Sequence, residues 1–193
     1  MSNIIRTTTA VDRLNKSLAK SSLDDLVKAR TKRSLLLVDV SGSMADWIQK
    51  THERKIDALR KVVATLRETH AVPTAAFGTR GGRVQLVDSI PNPSGSTPLD
   101  AAIEFGTQQG ATHLVVVTDG YPDSQDAAFR AAREFGGPID VFYVGDGNDE
   151  GARFAAELAA MTGGTCGVTD LANEPKQLAG KIVALLGDGS EVL

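Results

Sequence analysis

Three separated stretches hold oxygen chemistry that could be focused on one point: Asp39-Val40-Ser41-Gly42-Ser43, Gly95-Ser96-Thr97-Pro98 and Thr118-Asp119-Gly120. They bring two carboxylates, Asp39 and Asp119, and three hydroxyls, Ser41, Ser43 and Thr97. These are hard donors, suited to Mg2+, Mn2+ or Ca2+. So few carboxylates favour Mg2+ or Mn2+ over Ca2+, whose sites gather more of them. Zinc and copper are not served. The chain has one cysteine, and His52, His70 and His113 lack ligand spacing. Neutral hydroxyls would leave a divalent ion incompletely neutralised, and it would then draw an anionic ligand from outside.

Each stretch lies where an apolar run gives way to a turn or a helix. Leu35-Leu36-Leu37-Val38 and Thr112 to Val117 are unalternating apolar runs, the pattern of strands buried on both faces of a parallel sheet. Further strands are expected at Val72–Phe77, Arg83–Val87, Ile139–Val144 and Thr165–Val168, the first two joined as a hairpin through Gly78-Thr79-Arg80-Gly81-Gly82. Helical spacing marks about Glu53–Thr69, where Ile56, Leu59, Val63 and Leu66 form the stripe. Thr97 is placed to cap the next helix with Pro98 at its first position, running to Gln109. Helices follow near Ser124–Phe135, Glu150–Met161 and Leu171–Leu186, with Phe154, Leu158 and Met161 as a core stripe.

Alternating strands and helices predict an α/β fold, a Rossmann-like doubly wound three-layer sandwich. Its sheet is mostly parallel, of order 3-2-1-4-5-6, with one antiparallel edge strand. In that order strands 1 and 4 are neighbours, and the loops after them open a crevice at the switch point. Asp39 and Asp119 then face each other there, with Thr97 arriving from a third loop. Asp39, Ser41 and Ser43 alternate by two, which in an extended turn aims them at one point, and Gly42 permits the tight path.

In that order on such a scaffold, Asp39-Val40-Ser41-Gly42-Ser43, Thr97 and Thr118-Asp119-Gly120 resemble the von Willebrand factor A (VWA) domain with its metal-ion-dependent adhesion site (MIDAS). The resemblance spans residues 34–187. It implies that Ser41 and Ser43 ligate the metal directly, Asp39 and Asp119 mainly through water, and Thr97 either way. It also implies a Glu or Asp of a partner protein completing the coordination. The chain looks like an intracellular bacterial-type member, similar to those working with MoxR-type AAA+ ATPases or in tellurite-resistance-like clusters. Trp47 and Tyr121-Pro122-Asp123 follow two of the loops and are candidates for the rim that reads the partner. Trp47 could equally be core.

Other features have plainer readings. Asp46 reads as a solvated helix-start residue, and Gly145-Asp146-Gly147-Asn148 as a turn, because it lacks dinucleotide-loop spacing. Cys166 reads as an inert core thiol. Residues 1–33 form an expected N-terminal helical arm with eight Lys/Arg against three Asp/Glu, net +5. Residues 34–193, the main domain, carry thirteen against twenty-one, net −8. So acidic a body argues against nucleic-acid binding. No stretch approaches the ~20 apolar residues of a membrane span, no signal-peptide pattern opens the chain, and a cytoplasmic location is expected.

Two other functions are conceivable. One is a metal-dependent phosphohydrolase with Asp39 as nucleophile. Ser41 stands where such an enzyme needs its second acid, and no phosphate-loop or nucleophile-elbow motif occurs. The other is a metal-independent scaffold acting through the N-terminal arm. A protein-binding module without enzymatic activity is the leading expectation.

Overall fold

The apolar runs lack alternation because both faces of their strands are covered by helices. The computed structural model describes residues 32–48, 51–169 and 175–186. The expected arm lies outside these apart from Lys32 and Arg33. In chain order the elements are β1 (Ser34–Asp39), a 3-10 turn (Gly42–Ala45), β2 (Trp47–Ile48), β3 (Glu53–Arg54), α1 (Lys55–Thr69), β4 (Thr74–Phe77) and β5 (Gln85–Leu86). They continue with α2 (Leu99–Gln108), β6 (His113–Thr118), α3 (Gln125–Phe135), β7 (Ile139–Val144), α4 (Glu150–Thr162), β8 (Cys166–Thr169) and α5 (Pro175–Leu186).

The main sheet has six strands in the order β5-β4-β1-β6-β7-β8. All its pairings are parallel except β4 with β5, which gives the one antiparallel edge strand. Counting only these six strands, the order is the anticipated 3-2-1-4-5-6. In detail the topology differs: β2 and β3 form a separate antiparallel ribbon, pairing Trp47 with Arg54 and Ile48 with Glu53, which no sequence pattern announced. Four residues are too few for periodicity to register.

Side chains alternate across the sheet and divide the core in two. Leu36, Val38, Ala76, Val115 and Val117 pack beneath Ile56, Leu59, Val63 and Leu66 of α1 and Leu178 and Ile182 of α5. Leu35, Leu37, Phe77, Leu114, Val116 and Val141 face Leu99 and Ile103 of α2, Ala128 of α3, and Phe154 and Leu158 of α4. This is the three-layer sandwich. Met161 departs from the expected core stripe: it is 37% exposed, two residues past Ala159, the last buried position of α4. Cys166 is half-buried, and burial raises its thiol pKa, so it stays protonated.

At the amino ends of the strands a buried polar network joins β1, β6, β7 and the start of β8. Ser34 Oγ lies 2.8 Å from His113 Nδ1, and His113 Nε2 lies 2.6 Å from Asp140 Oδ2. Asp140 Oδ1 accepts from both the amide and the hydroxyl of Thr165, each at 2.7 Å. Burial lowers the His113 pKa below 6.5, outweighing the pull of Asp140, so the imidazole is neutral at pH 7. The neutral tautomer then has one assignment: Nε2–H donates to Asp140 and Nδ1 accepts the Ser34 hydroxyl. This is a staple between strands and no hydrolytic triad, since Ser34 and His113 are both sealed from solvent.

Candidate metal centre

At the opposite, carboxyl ends of the strands, β1 and β6 lie side by side and their loops diverge. Asp39 ends β1 and is 0% exposed. Its Oδ1 accepts the Ser41 amide at 2.7 Å, and its Oδ2 accepts the Thr118 hydroxyl. Burial pushes its pKa up to about 6 against these hydrogen bonds, and the nearby Asp119 charge adds to the rise. A carboxylate so destabilised in its charged form favours an adjacent cation.

The expected extended turn after Asp39 is instead the 3-10 turn Gly42–Ala45, entered at Ser41 (φ −64, ψ 168). Tight winding brings Ser41 Oγ and Ser43 Oγ to 3.1 Å apart. Ser43 Oγ in turn donates to Asp119 Oδ1 at 2.8 Å. Ser41 occupies the N-cap position, yet its side chain makes no cap hydrogen bond. Thr97 departs likewise from the cap reading: α2 begins at Leu99 with Pro98 as its N-cap residue, and only the Thr97 carbonyl engages the Leu99 amide. Neither hydroxyl is spent on capping a helix.

Glycine permits the close packing of these loops at two positions. Gly78 has φ +87, and a Cβ there would meet the Ser41 amide nitrogen at 2.7 Å. A Cβ on Gly120 would lie 2.9 Å from Thr97 Oγ1 and 3.6 Å from Asp39 Oδ2. That cradle places the third hydroxyl beside the first carboxylate, while Ser41, Ser43 and Asp119 form a continuous polar chain. The donor set fits a small hard cation. Among the described residues no three His, Cys, Asp or Glu side chains cluster, so neutral hydroxyls would make up much of the coordination. Gly120→Ala should therefore push Thr97 away and weaken Mn2+ binding at least about tenfold, with a smaller effect on urea midpoint, since the collision is with side-chain atoms and not with backbone. Titration calorimetry beside urea denaturation checks both halves.

Around the crevice the rim candidates separate. Trp47 is 61% exposed on the ribbon, with the Arg54 guanidinium 5.4 Å from its ring centroid, and Tyr121 is 46% exposed. Asp123 is exposed, but both its oxygens are engaged: Oδ2 accepts from Ser96 Oγ at 2.6 Å and Oδ1 from the Thr97 amide at 3.0 Å. Its carboxylate positions the Thr97 loop. Asp46 is exposed, as expected.

One residue of the crevice escaped the sequence reading. Lys55 Nζ lies 2.6 Å from Asp119 Oδ2, its side chain 21% exposed against a fully buried carboxylate. A signal was present: Arg54 and Lys55 open α1, where the helix dipole disfavours cations. Behind the site, the buried Tyr143 hydroxyl donates to Asp149 Oδ2 at 2.8 Å and approaches the Asp119 carbonyl at 3.4 Å, bracing that loop. No family model and no curated protein matches this chain.

Proposed function

We propose that this chain is a divalent-metal-dependent protein-binding module of the VWA type, whose MIDAS-like site takes a Glu or Asp from a partner protein. The observation that carries the reading is the convergence of Asp39, Ser41, Ser43, Thr97 and Asp119 from three loops at the switch point of the sheet. Bound there, Mg2+ or Mn2+ would supply a Lewis-acidic seat for an outside carboxylate. Ser41, Ser43 and Thr97 would hold it as uncharged donors, and Asp39 and Asp119 would balance part of its charge. Exposed Trp47 and Tyr121 flank the crevice and suit an interface, where large amphipathic aromatics contribute most. The proposed setting is bacterial and cytoplasmic, with a MoxR-type AAA+ ATPase or another operon-encoded protein as partner. No described helix is long and apolar enough to cross a membrane.

The test is capture from the native cell in Mg2+ against EDTA. A partner should be retained in Mg2+ and lost in EDTA, and Asp39→Ala combined with Thr97→Ala should abolish capture while circular dichroism stays native. Full-strength capture by the double variant in EDTA would end the reading. The phosphohydrolase alternative meets a further obstacle in the structure: Asp39 is buried with both oxygens engaged, a poor state for an attacking nucleophile. Phosphoester turnover that vanishes in Asp39→Asn would restore it.

A further inference from the structure

Lys55 stands apart from the five expected donors. It is the first residue of α1, delivered by the ribbon, and its amide donates to the Asp46 carbonyl at 3.1 Å, so the chain fixes where its side chain starts. The ammonium then reaches Asp119 Oδ2 at 2.6 Å while Ser43 holds Oδ1 at 2.8 Å. Its position is locally unfavourable. A cation at a helix start, next to another at Arg54, opposes the dipole. Residues that break a local rule concentrate where function requires them.

We propose that Lys55 is a tethered cation that competes with the divalent metal for the Asp119 carboxylate and so sets a low metal affinity. This rests on the metal-binding reading above. Two like-charged groups cannot both draw on one carboxylate oxygen without repulsion. A metal reaching Asp119 must displace the ammonium or share the crevice with it. Sharing leaves Asp39, Asp119, Lys55 and a divalent ion with a net charge of +1, a crevice that attracts an acidic group from a partner. Metal retention is thereby coupled to partner arrival, and Lys55 is the residue that couples them.

The test is Mn2+ binding to the full chain, read by the electron paramagnetic resonance signal of free Mn2+. Lys55→Gln keeps a hydrogen-bond donor for Asp119 but removes the charge, and should tighten Mn2+ by about tenfold, the scale of a single charge acting on a divalent ion at a few ångströms in a water-like medium. Lys55→Arg keeps the charge and should bind Mn2+ as the natural protein does. Asp39→Ala supplies the blank. Equal affinities in Lys55→Gln and the natural protein, both above the blank, would overturn the role of Lys55 while leaving the metal site standing. Weaker binding in Lys55→Gln would do the same, identifying Lys55 as a support for Asp119. If no form binds above the blank, the metal reading fails and the proposal falls with it.

Discussion

Asp39→Asn is expected to make the metal-free protein more stable at pH 8 and to end its response to Mg2+. The folded pKa of Asp39 is raised from 3.8 to about 6 by burial. Burying the neutral form stabilises the fold, and that contribution is fully present below 3.8 and lost as pH rises through about 6. At pH 8 the natural chain buries a charge that the unfolded chain would keep hydrated, and Asn does not. At about 1.4 kcal/mol per pKa unit, the gain is on the order of 2–3 kcal/mol. The same exchange removes one of only two carboxylates from the candidate metal centre, so stabilisation by Mg2+ should vanish. Urea midpoints from pH 4 to 8, with and without Mg2+, check it. The difference between the two proteins should open across pH 4 to 7 and close at lower pH. A variant no more stable than the natural chain at pH 8 would sink the argument.

The second large effect lies at the other end of the sheet. His113→Ala should cost about 3 kcal/mol or more, because it strips a donor from the buried Asp140 carboxylate and orphans the Ser34 hydroxyl. Metal binding should be unchanged, since the staple and the crevice occupy opposite ends of the six-residue β6. The network also sets an acid limit. The neutral His113 has a lowered pKa, so the unfolded chain takes up a proton first and stability falls as pH drops below 6.5. Asp140, although burial opposes it, is held below 3.8 by its bonds to His113 and Thr165, and its contribution is lost as pH falls through that range. Urea midpoints of the natural chain should therefore carry a descending acid limb below pH 6.5 that His113→Ala lacks. That limb runs opposite to the Asp39 effect, and only comparison of the two variants separates them.

Much of this was legible beforehand. Unalternating runs such as Leu35–Val38 marked the parallel strands, and the strand order followed from alternation of elements, bringing Asp39 and Asp119 to one end of adjacent strands. What escaped lies below the reach of periodicity. The ribbon is built from two residues a side, and the Ser41–Ser43 geometry arises from a 3-10 turn that apolar spacing does not encode. Thr97 reads from sequence both as a cap for the next helix and as a donor from the third loop; Pro98 takes the N-cap position, and the packing at Gly120 sets Thr97 Oγ1 close by. From sequence, Asp123 is expected on the rim that reads the partner. Its hydrogen bonds to Ser96 and Thr97 depend on a loop 26 residues away, a contact no local pattern reports.

The backbone approaches at Gly78 and Gly120 have a consequence for anyone who would re-engineer the molecule. Surface connections usually tolerate added length, but these share their atoms with one another. Lengthening any one of the three would unseat the others. Foreign peptide sequence is therefore better placed away from all three, and away from the ribbon too, since it delivers Lys55 to Asp119.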